Sequence, residues 1–335
     1  MSYHIVSIDS ANCSLSCRDG QLLCRSAEGE NKLPLEDVAS ILITSWSAQI
    51  HSELFLQAAK HGVALIICES FKPISLVLPA NRSTDTLLSR ALLELSPRVR
   101  EMLWQKTVEA KCRNQLSLAS HLAPKEAKLE GLRRAVLSGK SHREAICAKA
   151  FWQLFGAATQ YIPSPAGRGG RLDRSEPSAA VPLDAAVQKA GTFTRSREGG
   201  GLNDLLNYGY AVLLSTVLQK LFAVGLDPTW GISHAPRERA TPLAYDLMEP
   251  FRPCVDWRVY QWVKQHPDPK EWAVTKEYRR WVTGFPLERV EYLDFTLEIQ
   301  GVVEGVVRGF RRAVLEKKPT FYRPWTPRDG AWNAG

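Results

Sequence analysis

Residues 96–122 read SPRVREMLWQKTVEAKCRNQLSLASHL, and they divide the chain into two kinds of text. Ser96 followed by Pro97 is a helix start, because proline lacks the amide hydrogen that the first helical position leaves unused. Apolar residues then recur at helical spacing, which predicts one long amphipathic helix. Upstream the texture is different. YHIVSID, SLSC, QLLCR, ASILITS, VALIICE and SLVLP are short apolar or alternating runs within the first eighty or so residues, the pattern of strands. Asp19-Gly20 between two of these runs marks a hairpin turn. One short helix interrupts them at Ser52 to His61, with Gly62 placed to end it.

Downstream of Leu78 to Thr84 the spacing predicts helices at about 125–138, 141–156, 202–224, 243–264 and 287–317, and no strand of comparable quality after residue 85. The expected architecture is α+β and multidomain. A small N-terminal β domain (1–84) precedes a larger all-α domain (85–335), with a loop at about 157–190 that is rich in Gly, Pro, Ser and Arg.

The chain has 335 residues, 44% hydrophobic and 23% charged, an ordinary globular balance. No run approaches the ~18 apolar residues of a membrane span. The start, MSYHIVSIDS, lacks the pattern of a secretory signal. The seven cysteines have no metal spacing, and buried reduced thiols in a cytoplasmic protein are the expectation. A net charge of +8 suits a polyanionic partner, although many basic proteins bind none.

Three polar clusters lie in the helical half. In SHREAICAKAFWQLFG (141–156), Ser141 and Glu144 fit a capping box, and Glu144 is alternatively a metal ligand in the first helical turn. In GISHAPRERATP (231–242), His234 precedes Arg237, Glu238 and Arg239, and a lone loop histidine is usually a surface or capping residue. LAYDLMEPFRP (243–253) sets Asp246, Glu249 and Arg252 three apart on one side of an otherwise apolar segment, with Pro250 kinking it. A solvated face with a weak i,i+3 ion pair is the plain reading. One histidine with two or three carboxylates also matches the ligand set of Mg²⁺ or Mn²⁺. HExxH, GxSxG and GxxxxGK[ST] are all absent from the sequence.

In their order, HREAICAKAFWQLFG, GLNDLLNYGYAVLLS and GISHAPRERATPLAYDLMEPFRPCVD resemble the CRISPR-associated adaptation integrases, closest to the form found beside single-effector systems. The likeness runs over most of the chain. It implies a β-sandwich-like N-terminal domain that dimerises and a helical catalytic domain. It also implies a metal-dependent DNA endonuclease and integrase that inserts short DNA at the repeats of a CRISPR array. Its implied partners are double-stranded DNA, a second copy of the chain, a dimer of a small ferredoxin-like protein in a hetero-hexamer, and an effector nuclease as a further assistant. The implied metal ligands are Glu144, His234 and Glu249, with Asp246 a further catalytic carboxylate close by. Arg252 falls where the family meets DNA phosphate. Asn203 is expected to face substrate, and Arg195, Arg197, Arg237 and Arg239 to lie near DNA. A repair nuclease acting on branched DNA and a silent DNA-binding scaffold are the alternatives.

Overall fold

The computed structural model describes residues 4–69, 72–77, 85–138, 143–160, 193, 195, 200–234, 241–328 and 332. Asp19 and Gly20 both adopt positive φ, at 52° and 74°, as the tightest hairpin turn requires. They join β2 (Ser14–Arg18) to β3 (Gln21–Ser26), and β4 (Gly29–Pro34) and β6 (Gln49–Ile50) complete a sheet of order β4-β3-β2-β6. A second sheet has the order β1-β5-β7-β8, from β1 (His4–Ile8), β5 (Val38–Ile43), β7 (Ala64–Glu69) and β8 (Lys72–Val77). In it β1, β5 and β7 run parallel and β8 is antiparallel.

Parallel strands are usually covered on both faces, and every residue of β5 is buried. Ile41, Ile43 and Leu65 join Leu15 and Leu22 of the first sheet, and Leu54 and Ala58 of α1 (Ser52–Lys60), in one core. This makes the expected sandwich-like half. The alternate residues Leu42, Ala64, Ile66 and Cys68 turn the other way, into the core of the helical half. There α6 (Leu202–Ala223) lies against β5, β7 and β8. It is largely apolar, as suits a helix buried over most of its length, with Asn203 and Asn207 buried polar exceptions near its start.

On α6 pack α7 (Pro242–Met248), α8 (Arg252–Gln265), α9 (Lys276–Thr283) and α10 (Ile299–Leu315), while α2 (Thr86–Leu93) packs on α10, and α3 (Pro97–Leu122), α4 (Lys128–Leu137) and α5 (Arg143–Ala158) pack on one another. The Ser96 hydroxyl caps α3 by accepting from the Val99 amide at 3.3 Å. Two expectations need correction. The stretch expected as one helix at 243–264 is α7 and α8 joined by a 3₁₀ turn, Glu249–Phe251, since Pro250 and Pro253 cannot continue an α-helical ladder. The stretch expected as helix from 287 begins instead with a hairpin, β9 (Arg289–Tyr292) and β10 (Phe295–Glu298). Val290, Tyr292, Phe295 and Thr296 favour strands, and the turn holds Leu293 at φ 55° without the glycine that would have announced it. All seven cysteines are free thiols. Among the described residues no helix is long and apolar enough to cross a membrane.

Candidate active site

Three elements converge on one ammonium group. Lys111 lies midway along α3, Glu144 opens α5, and Glu249 occupies the 3₁₀ turn between α7 and α8. Lys111 Nζ is 2.7 Å from Glu144 Oε1 and 2.6 Å from Glu249 Oε2. Arg252 Nε is 2.9 Å from the other oxygen of Glu249, one turn away at i+3. The Glu249 side chain is only 4% exposed. Burial alone would raise its carboxyl, but Arg252, Lys111 and the nearby His234 more than offset this and hold it down at about 2. Burial likewise disfavours the Lys111 ammonium, and Glu249 and Glu144 reverse that effect, so its pKa is raised. Glu249 Oε2 is buried and has the Lys111 ammonium as its partner.

Next to this pair, Asp246 organises a loop. Its Oδ2 accepts the amides of Ile232 at 2.6 Å and Ser233 at 3.0 Å, and its Oδ1 accepts the amide of His234 at 3.2 Å. The same Oδ1 lies 2.6 Å from His234 Nδ1. A carboxylate accepting from Nδ1 puts the imidazole proton there and the lone pair on Nε2, the arrangement by which carboxylates orient metal-binding histidines. Gly231 permits the tight path. A Cβ there would stand 2.7 Å from the His234 carbonyl oxygen and 2.9 Å from Asp246 Oδ2. Arg100 fastens the loop from α3, donating from Nη1 to the Gly231 carbonyl at 2.9 Å.

A second polar layer backs the first. The Arg252 guanidinium stacks 4.7 Å from the Tyr210 ring centre, and Arg195 lies 5.3 Å from the same ring. Arg195 donates to Asn203 Oδ1 at 2.8 Å and to Asn207 Oδ1 at 2.6 Å. The Tyr210 hydroxyl donates to Asp256 Oδ1. Burial pushes the Asp256 carboxyl up to about 7, against the Tyr210 hydrogen bond and the two arginines, which lower it.

Glu144 and Glu249 thus share the Lys111 ammonium, and His234 is paired with Asp246 beside them. Among the described residues no three carboxylate, imidazole or thiol groups already converge as a metal cage. Asn203 is buried against Arg195, and the Arg252 side chain is 24% exposed and turned to Glu249 and Tyr210. Ser141, Arg197, Arg237, Arg239 and residues 161–190 of the expected loop lie outside the described residues. Two participants escaped the sequence reading, Lys111 and Asp256. Lys111 sits three residues after the buried Val108 and four before the buried Gln115. A lysine on the apolar stripe of α3 was the available signal.

A family profile described as CRISPR associated protein Cas1 matches residues 6–158 and 183–278. A CRISPR-associated endonuclease Cas1 of Neisseria meningitidis serogroup C (strain 8013) is 30% identical over 259 residues, 75% of this chain and 73% of that protein. Among solved structures, a casposase bound to its integration product matches with a TM-score of 0.68 at 21% identity, over 95% of this chain and 92% of that one. A chain of a Cas6-RT-Cas1–Cas2 complex matches with a TM-score of 0.71 at 14% identity, over 97% of this chain and 37% of that one. At those identities the two structures establish a shared fold. With the profile spanning most of the chain and a relative of similar length at 30% identity, the chain belongs to the Cas1 family of CRISPR-associated proteins.

Proposed function

We propose that this protein is a metal-dependent DNA endonuclease and integrase that joins short DNA fragments to the repeats of a CRISPR array. The observation that carries the reading is the pair of carboxylates, Glu144 and Glu249, drawn together on one cation beside an imidazole whose Nδ1 is held by Asp246. The donors suit Mg²⁺ or Mn²⁺: two hard carboxylates, of which Glu249 is buried, and an imidazole lone pair on Nε2. Glu144, Glu249 and His234 would hold the ion. Bound there, it would supply Lewis-acid stabilisation of charge on the phosphoryl oxygens.

The residues of the chain do the rest. Asp246 fixes the loop and the imidazole orientation, so His234 presents Nε2 without a search among rotamers. Arg252 keeps Glu249 ionised and is the guanidinium nearest the site for a DNA phosphate. A DNA 3′-hydroxyl attacks a phosphodiester at a repeat edge. One phosphorus–oxygen bond forms as another breaks, and the displaced strand leaves with its own 3′-hydroxyl. Diester replaces diester, and no covalent enzyme intermediate is needed. With water as the attacking group the same site cuts DNA.

Partners follow the same reading. The N-terminal β domain, residues 1–84, would pair two copies, and residues 85–335 would carry the chemistry. A dimer of a small ferredoxin-like protein would join two such pairs, with or without help from an effector nuclease. The fold shared with a chain of a Cas1–Cas2 complex and with a DNA-bound casposase supports this. Arg195, Arg237 and Arg239 would lie near the DNA, and Asn203 would act through Arg195.

The test is a joining reaction. Purified protein, with and without the small partner, meets a labelled short duplex and a plasmid carrying one repeat, in Mn²⁺, Mg²⁺ or EDTA. Joining at repeat ends that requires metal supports the integrase. Cleavage of branched DNA without joining supports a repair nuclease instead.

A further inference from the structure

We propose that Lys111 is a resident counter-ion of the metal site: its ammonium occupies the seat between Glu144 and Glu249, and a divalent cation binds by displacing it. The inference rests on the metal-site reading above and deepens it. Two carboxylates brought together, Glu249 buried and Glu144 partly exposed, repel each other, so something positive must lie between them for the metal-free protein to keep them there. Lys111 Nζ does so, at 2.7 and 2.6 Å. In the metal-free protein the ammonium is held at this position, since its side chain is only 12% exposed and α3 packs against α5 and the 3₁₀ turn.

Three details favour a seat that is exchanged over a plain structural ion pair. Lys111 is the one cation on Glu249 Oε2 among the described residues, so that oxygen opens to a metal when the ammonium leaves. Glu249 has Arg252 as a separate partner on its other oxygen, so it remains compensated when the ammonium leaves. The carboxylates already close on a cation while His234 remains with Asp246, which accounts for the absence of a three-ligand cage among the described residues. Lysine is suited to the role because it is a compact point charge on a flexible stem, whereas a guanidinium would grip both carboxylates in a fixed fork.

The consequence is that Lys111 tunes metal affinity. Replacing it by methionine keeps the stem and deletes the competing charge, and replacing it by arginine strengthens the competitor. The test is Mn²⁺ titration of the full chain by calorimetry, with melting temperatures in EDTA and in saturating Mn²⁺. Lys111→Met is expected to melt lower in EDTA, to bind Mn²⁺ about tenfold tighter or more, and to gain more in melting temperature from the metal than the wild type does. Lys111→Arg is expected to bind Mn²⁺ more weakly than the wild type. Should Lys111→Met fail to fold, Lys111→Arg still decides the question. Unchanged Mn²⁺ affinity in either folded variant would overturn the proposal. The metal-site reading is tested separately by Glu249→Gln: if the wild type shows no Mn²⁺ binding that this change removes, that reading fails first.

Discussion

Asp246 is fully buried and receives three backbone amides and an imidazole nitrogen on its two oxygens. An amide in its place has one accepting oxygen and a donor that would face another donor. Asp246→Asn is therefore expected to cost about 1–3 kcal/mol in urea unfolding and to reduce strand transfer by roughly 100-fold, because the His234 tautomer loses its partner. Asp256 sets a pH dependence. Its carboxyl is raised from an ordinary 3.8 to about 7 by burial, so the folded protein holds that proton after the unfolded chain has released it. The associated stability is fully present below about 3.8 and is lost as pH rises through about 7. Urea unfolding between those limits is expected to show stability falling as pH rises, and Asp256→Asn should flatten the slope.

At the scale of elements, the site depends on a loop and a break in a helix. Gly231→Ala places a methyl 2.7 to 2.9 Å from the His234 carbonyl, Pro242 and Asp246, with backbone among the atoms that must move. The expected result is loss of joining activity with a lowered melting temperature, while a neighbouring change such as Trp230→Phe on the exposed side leaves both nearly unaltered. A kink was legible, because Pro250 lies inside an apolar segment, but the division into two helices was not. Also legible were the Asp19-Gly20 hairpin and the end of α1 at Gly62, whose φ of +68° needs no Cβ. The β9–β10 hairpin was not, since its turn is built from Leu293 and Asp294 and its apolar residues also fit a helical period. Lys111 was hidden for a different reason. Nothing within α3 says that α5 and the 3₁₀ turn will deliver carboxylates to it, because that meeting is tertiary.

Across the whole molecule, a charge of +8 is the feature a DNA partner would meet first. Affinity for a short duplex is expected to fall at least ~100-fold between about 50 and 200 mM salt, as counterions released by phosphate contacts are repaid. A flat salt response, measured by fluorescence anisotropy, would argue against a surface that tracks the backbone. The two halves share their interior: β5 gives Ile41 and Ile43 to the sandwich core and Leu42 to the helical one. Sequence periodicity separated the two textures but could not show that α6 closes over the sheet.

The central claim is that Glu144, His234 and Glu249 form the centre that performs strand transfer, and one comparison tests it most directly. Joining of a labelled duplex to a repeat-bearing plasmid in Mn²⁺ should be measured for the wild type and for Glu144→Ala, His234→Ala and Glu249→Ala, alongside the DNA affinity of each. The expected result is joining lost in all three variants, by about 1000-fold or more, with DNA affinity within a few-fold of the wild type. Wild-type joining in all three would contradict the site.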